Sequence, residues 1–179
     1  MAGLGLAPLT EPVQEINQKA FRDAMARMGA AVHVITTDGP AGPGGFTASA
    51  VTSVTDTPPT LLVCVNNNVS AFSALQVNGV LCVNTLTPDQ REISRLFSEK
   101  VSLDVRFGSA RWSTGRTGAP ILEGAVASFD CKIIDIKPIG THSVIFCEVL
   151  GLSIDGADEA LVYYQRAYHR LGLQSRIEN

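Results

Sequence analysis

The 179-residue chain has no apolar run near the length of a membrane span, no cluster of basic residues, no paired cysteines and only three histidines. Each absence excludes something. A bilayer-crossing helix needs about 20 consecutive apolar residues, and no segment approaches that. Fourteen Lys and Arg stand against 17 Asp and Glu, for a net charge of −3. The chain therefore lacks the electrostatic footprint of a nucleic-acid-binding protein. Cys64, Cys82, Cys131 and Cys147 never fall in a CxxC spacing, so neither a zinc knuckle nor a redox dithiol is expected. Thiols inside runs such as Val-Cys-Val read as buried core. His33, His142 and His169 are dispersed and lack paired carboxylates, so no metal site is expected.

The common catalytic signatures are missing as well. There is no GxSxG elbow, no Walker loop and no HExxH helix. The Gly42 to Gly45 cluster lacks GxGxxG spacing and opens a strand, not a helix. A nicotinamide or flavin would bind here without a Rossmann fold.

What is present is a globular composition, 45% apolar and 17% charged, with enough chain for one domain and a substantial core. The first residues, MAGLGLAPLT, lack the basic start and full apolar segment of a signal peptide. Residues 1–15 read as a flexible arm, 16–172 as the domain and 173–179 as a tail, with the cytoplasm as the default compartment.

Ile16, Ala20, Phe21, Ala24, Met25 and Met28 recur at helical spacing, with Gly29 as a stop. Ala31 to Thr37 reads as a strand and residues 38–45 as a turn. Phe46 to Val54 reads as one strand with two unlike faces, one of which carries Thr47, Ser49, Val51 and Ser53. A Pro-Pro turn, a strand from Leu61 to Val65 and three asparagines follow. Ser70 is a candidate N-cap for a helix to Gly79. Val80 to Leu86 is a strand, and Pro88 opens a helix through Phe97. Lys100 to Gly118, with Arg106, Arg111 and Arg116 among glycines and serines, reads as an exposed loop region. Ile121 to Ile136 and Thr141 to Ile154 are long strands, and Leu161 to Tyr164 is a last short one before a polar tail. Strands that follow one another without crossover helices fit a parallel sheet poorly. They fit a mainly β fold with peripheral helices, a β-barrel.

Three places could carry chemistry. The hydroxyls of Thr47, Ser49 and Ser53, followed by Asn66, Asn67 and Asn68, suit a flat, phosphorylated ligand lying close to the backbone. The same pattern also describes the wet side of an antiparallel sheet and a simple turn. His142 follows a glycine turn at a strand's mouth, where it can act on a ligand or serve as a surface cap. Tyr163, Tyr164, Arg166 and Tyr168 could stack on a base and meet a phosphate, or could close the barrel.

Six blocks in order, FRDAMARMGAAVHVITTDG, GGFTASAVTSVTDTPPTLLVCVN, LCVNTL, GAPILEGAVASFDCKI, IGTHSVIFCEV and LVYYQRAYH, resemble the short-chain flavin reductases. These are the reductase components of two-component aromatic monooxygenases, such as those acting on 4-hydroxyphenylacetate and chlorophenol. The resemblance covers roughly residues 20 to 170 of the sequence. It implies a split β-barrel of the FMN-binding type, usually a homodimer, that reduces FAD or FMN with NADH and passes reduced flavin to a separate oxygenase. By position, Thr47, Ala48, Ser49, Ala50, Val51 and Ser53 would line the flavin's ring and phosphate side. Asn66, Asn67, Asn68 and Ser70 would hold its ribityl and phosphate end. Asn84 and Thr85 would flank the flavin edge, with Phe97 and Ser98 as a helix-end contact. His142 matches the Gly-x-His position that meets the nicotinamide, and Tyr163, Arg166 and Tyr168 match the block near its nucleotide. Thr141 stands where many relatives carry an aspartate, so any role of that acid is absent here. FAD and NADH are the leading pair on this resemblance. A flavin-binding barrel without catalysis and a pyridoxamine-phosphate-oxidase-like enzyme are the competing readings, the latter disfavoured by the lack of a dense basic set.

Overall fold

The computed structural model describes residues 16–154 and 158–177; the expected arm, 1–15, lies outside the described residues. Helix α1 (Gln18–Met25) is capped by Asn17, whose side chain accepts from the Ala20 N–H at 2.8 Å. None of its residues is buried, and Phe21, Met25 and the following Met28 expose their apolar surface. The strand expected after it is interrupted at Val32, giving β1 (Ala30–Ala31) and β2 (His33–Thr37). Val32 bridges two other segments: its N–H donates to Leu161 O and its carbonyl accepts from Leu86 N–H, both at 2.9 Å.

The single two-faced strand expected from Phe46 to Val54 is instead two, β3 (Gly44–Ala48) and β4 (Val51–Asp56), followed by β5 (Pro59–Asn66). Helix α2 (Phe72–Asn78) is preceded by Ala71 at the cap position, not Ser70, and ends at Gly79 in the left-handed region. Next come β6 (Val80–Thr85), a 3-10 turn at Pro88–Gln90, and α3 (Arg91–Ser98). Thr87 and Gln90 form a capping box at the start of that turn. The expected loop after Lys100 contains α4 (Leu103–Gly108) and β7 (Trp112–Thr114). The hydroxyl of Ser102 caps α4 through the Val105 N–H.

Strand β8 (Pro120–Leu122) pairs with β7, so the long strand expected from Ile121 starts later, as β9 (Ala127–Ile139). It turns through Gly140, at φ 59°, and Thr141 into β10 (His142–Ile154). The expected polar tail holds a further strand. β11 (Ala160–Tyr164) and β12 (Ala167–Leu171) form a hairpin whose two turn residues, Gln165 and Arg166, both have positive φ, the geometry of a type I′ turn.

Seven strands form one antiparallel sheet in the order β3-β2-β6-β9-β10-β5-β4. Its two edge strands, β3 and β4, are consecutive in sequence and joined only by Ser49 and Ala50. Flat, such a sheet would hold its edges about 29 Å apart; three Cα–Cα steps reach only about 11 Å. The sheet must therefore curl until its edges meet. The core agrees: Phe46 and Ala48 of β3 share one buried cluster with Leu61, Val63 and Val65 of β5, across the four intervening strands. This is a split β-barrel. It explains why the hydroxyl ladder breaks, because Thr47 and Ser53 lie on opposite edges of the sheet.

A second buried cluster joins Val32, Val34, Leu86, Phe97, Leu122 and Leu161, and fastens α3 and α4 to the sheet. Gly45 is forced by that packing, since a Cβ there would lie 2.6 Å from the Phe97 ring and 2.8 Å from the Ile35 carbonyl. β1, β11 and β12 make a separate three-stranded sheet. Cys82, Cys131 and Cys147 are buried and Cys64 is half-buried, all four as free thiols. Burial pushes the Cys82 thiol pKa well up, which suits a core residue and not a nucleophile. Among the described residues no helix is long and apolar enough to cross a membrane.

Candidate functional site

At one end of the barrel, β3, the asparagine turn and the C-terminal end of α3 enclose a cavity of about 510 Å³. Five residues singled out from the sequence line it: Thr47, Asn68, Ser70, Phe97 and Ser98. Each arrives by a different route. Thr47 is on β3, and its Oγ1 donates to the Ser94 carbonyl at 2.6 Å, tying the strand edge to α3. Phe97 is 2% exposed and packs against Phe107 and Trp112 with ring centroids 5.4 and 5.6 Å away. Asn68 and Ser70 belong to the turn between β5 and α2.

That turn is held by its own amides. Asn66 Oδ1 accepts from the Asn68 N–H at 2.9 Å. The Asn67 N–H donates to the Thr141 carbonyl at 3.0 Å, and Ser143 Oγ donates to Asn67 Oδ1 at 2.8 Å. Because β10 runs beside β5, His142 sits directly opposite Asn66. The expected histidine and the asparagine turn thus share one strand end, although 76 residues separate them in sequence. His142 is exposed, and its Nδ1 lies 2.9 Å from the Thr141 hydroxyl.

The remaining expected residues divide. Ala48 stands beside His33, which stands beside Thr85, and His33 Nδ1 lies 3.1 Å from Thr85 Oγ1. Burial lowers the His33 pKa to about 4, so this imidazole is neutral. Ser49, Ala50 and Ser53 are exposed and Val51 is half-buried against the core. Asn84, in contrast, is fully buried, and both ends of its amide are engaged inside the protein. It braces β6 against β2 and does not line the cavity.

Tyr163 and Tyr168 face each other across the β11–β12 hairpin, with ring centroids 5.4 Å apart. The Tyr168 hydroxyl lies 2.9 Å from Ser94 Oγ, and the Arg91 guanidinium stands 5.7 Å over its ring. Ser94 therefore links the C-terminal hairpin to Thr47. Arg166 is turned the other way, in an ion pair with Asp23 of α1 at 2.5 Å. Lys19 and Arg166 together hold the Asp23 carboxyl below its ordinary pKa.

Sequence reasoning missed Ser94 and Lys100, and placed Arg106 in an exposed loop. Lys100 and Arg106 line the cavity, and Arg106 is buried although its segment reads as an exposed loop. Its Nη1 donates to the Gly45 carbonyl at 3.0 Å and its Nη2 to the Glu99 carbonyl at 2.5 Å. The one available signal was the polar start Ser102-Leu103-Asp104, an N-cap with an acid in the first turn.

Comparison with known proteins gives a consistent answer. The profile of the family described as flavin reductase like domain matches residues 25–172. FMN reductase (NADH) RutF of Serratia proteamaculans (strain 568) is 54% identical over 164 residues, covering 92% of this chain and 93% of that protein. A protein assigned as a flavin reductase from Haemophilus somnus 129PT superposes with a TM-score of 0.85 at 47% identity, over 87% of this chain and 100% of the other. BorF, the flavin reductase component of a bacterial two-component tryptophan halogenase, superposes at 0.81 with 29% identity, over 87% and 99%. Matched over most of its length in sequence and in fold, the chain belongs to the flavin reductase-like family.

Proposed function

We propose that this protein is an NADH-dependent flavin reductase that supplies reduced flavin to a separate oxygenase component. The observation that carries the reading is the convergence of Thr47, Asn68, Ser70, Phe97 and Ser98 on one cavity of about 510 Å³, within the range of ligand sites. The Serratia relative is an FMN reductase using NADH, which supports FMN as the first flavin to test, before FAD. BorF serves a two-component system, which supports a diffusible product and a separate partner. An aromatic monooxygenase is the partner favoured by the six sequence blocks.

When bound, the flavin supplies the acceptor for a hydride from NADH; the protein's work is positioning. Thr47, Ala48, Ser49, Ala50, Val51 and Ser53 offer short side chains that let a flat ring approach the strand edges. Asn68 and Ser70, with Asn66 and Asn67 shaping their turn, would hold the ribityl and phosphate end, and Phe97 and Ser98 would form the cavity wall beneath it. Thr85, paired with His33, would flank the ring edge, while Asn84 acts from behind by holding the strands in register. Tyr163 and Tyr168 offer a stacking surface for the nicotinamide nucleotide, and Arg166 would exchange Asp23 for its phosphate. His142 has Nδ1 beside the Thr141 hydroxyl, which leaves Nε2 to meet the carboxamide or the developing negative charge.

Purified protein with FMN and NADH should lose NADH absorbance catalytically. Flavin binding without turnover would instead mark a non-catalytic flavin protein. His142→Ala should lower kcat/KM by roughly 10- to 100-fold, the scale of one lost positioning or charge-stabilising group. Unchanged turnover in that variant would remove His142 from the site.

The surface supports a homodimer. Val54, Leu152 and Ile154 are more than 45% exposed on β4 and β10, beside a groove lined by Leu61, Phe129, Val149 and Leu150. Contiguous apolar surface of this kind marks an interface. Sedimentation equilibrium should give twice the chain mass; a monomer mass at micromolar concentration would refute it. The cytoplasm is the compartment that fits NADH supply and four free thiols.

A further inference from the structure

Ser94 sits at the middle of α3 and is 0% exposed. A buried serine inside a helix can satisfy its hydroxyl on the carbonyl one turn earlier. Here the hydroxyl reaches out of the helix instead, and Ser94 Oγ lies 2.9 Å from the Tyr168 hydroxyl on β12. The carbonyl of the same residue accepts from Thr47 Oγ1 at 2.6 Å, on the strand that lines the cavity. One residue thus holds a side chain from each expected ligand surface, Thr47 at the cavity and Tyr168 at the C-terminal hairpin. The hairpin depends on that hold. Among the described residues β12 is the outer strand of its sheet and pairs only with β11, so side chains make its link to α3 and the turn before it. Arg170 reaches Asp89 at 3.3 Å, but the Asp89 side chain is 89% exposed, and an exposed pair of this kind contributes little. The buried link is Tyr168, which packs against the cluster containing Phe97 and has the Arg91 guanidinium 5.7 Å over its ring. Arg91 and Ser94 are three residues apart on α3 and share one face, so the helix grips the phenol at both its ring and its hydroxyl.

We infer that Ser94 is a positioning residue that couples the flavin cavity to the nicotinamide-nucleotide surface. The inference rests on the flavin reductase reading above and adds how its two binding surfaces communicate. A flavin seated against Thr47 fixes that strand edge on α3, and the same helix position then fixes the Tyr168 ring. The nucleotide meets a surface already ordered and loses less freedom on binding. Such a link is reciprocal: the nucleotide tightens flavin by the factor by which flavin tightens the nucleotide. The Ser94 hydroxyl carries the link to the hairpin, and the backbone carbonyl carries the link to the cavity. Removing the hydroxyl therefore cuts the coupling and leaves the flavin surface in place.

FMN titrated by its own fluorescence, with and without saturating NAD+, reads the coupling, because NAD+ occupies the nucleotide surface without transferring a hydride. In the wild-type protein NAD+ should tighten FMN about fivefold, the scale of one hydrogen bond. In Ser94→Ala that factor should fall below about twofold, with FMN affinity in the absence of NAD+ unchanged. The same variant should raise KM for NADH about fivefold while kcat moves less than about twofold, a split that a general loosening of the fold would not produce. Tyr168→Phe, which removes only the phenol oxygen, should abolish the coupling as well. The double variant should show no further loss, since both substitutions cut one bond. Tyr168→Phe carries the test alone where Ser94→Ala fails to fold. Absence of coupling in the wild-type protein, coupling retained in either folded variant, or additive losses in the double variant would overturn the inference. Absence of NADH oxidation by the wild-type protein with the coupling intact would overturn the reductase reading alone.

Discussion

Asn84→Ala should lower the unfolding free energy by about 3–5 kcal/mol. Asn84 is 0% exposed. Its Oδ1 accepts from the Leu122 N–H at 2.8 Å and from Ser128 Oγ at 3.0 Å. Its Nδ2 donates to the Val34 carbonyl at 3.1 Å and to Thr36 Oγ1 at 3.2 Å. One amide therefore satisfies groups on β2, β8 and β9 from its place on β6. Truncation strands them together, and each buried unsatisfied group costs about 1–3 kcal/mol. Urea unfolding monitored by circular dichroism would read the change. A loss below 1 kcal/mol would mean that water takes over the amide's partners, and that the network is less demanding than its burial indicates. Flavin affinity should fall with stability, because Asn84 lies in one row with Val34 and Thr47.

Stability should also fall as the solution is acidified from neutral toward pH 4, with His33 contributing about 3 kcal/mol of the loss. The sign follows from burial. Its folded pKa is about 4, against an ordinary value of 6.5. Between those values the unfolded chain binds a proton that the folded one refuses, so the unfolded state gains stability as pH drops. Above pH 6.5 neither state is protonated and the contribution is complete. The residues flanking His33 across the ladder, Ala48 and Thr85, carry no charge to rescue an imidazolium. Denaturation midpoints of the wild-type protein and of His33→Gln, compared between pH 7 and pH 4.5, isolate this residue from the carboxylates. Parallel pH profiles for the two proteins would show that His33 does not sense pH.

Much of this architecture is legible locally. Val80 to Thr85, Pro59 to Asn66 and the opening helix are set by apolar spacing and by Asn17, Gly79 and Pro88, all of which act within a few residues. The asparagine turn and His142 are each recognisable, although only the β5–β10 pairing brings them together. What stays hidden depends on the curl of the sheet. Nothing between Ala48 and Val51 announces a break, since Ser49 and Ala50 continue the alternation and the chain leaves one edge only because the other edge lies beside it. Arg106 is hidden for a different reason. Its helix spans only Leu103–Gly108, too short for a periodic signal, and a buried arginine is uncommon enough to read as surface. Asn84 is legible as polar within an apolar strand, and the same letter serves a ligand contact or a core brace.

The pairing of β1 with β11 links Ala30 to Tyr163, close to the two ends of the described chain. Such a contact closes late, both because long-range pairing is slow and because synthesis releases the N-terminal part first. Leu161 of β11 belongs to the same buried cluster as Phe97, the floor of the cavity. During translation the barrel strands β2 to β10 can assemble while that cluster still lacks its final member. Ligand competence thus waits for a hairpin synthesised after all the barrel strands, and a chain cut short before Ala160 would carry most of the barrel but an unfinished floor.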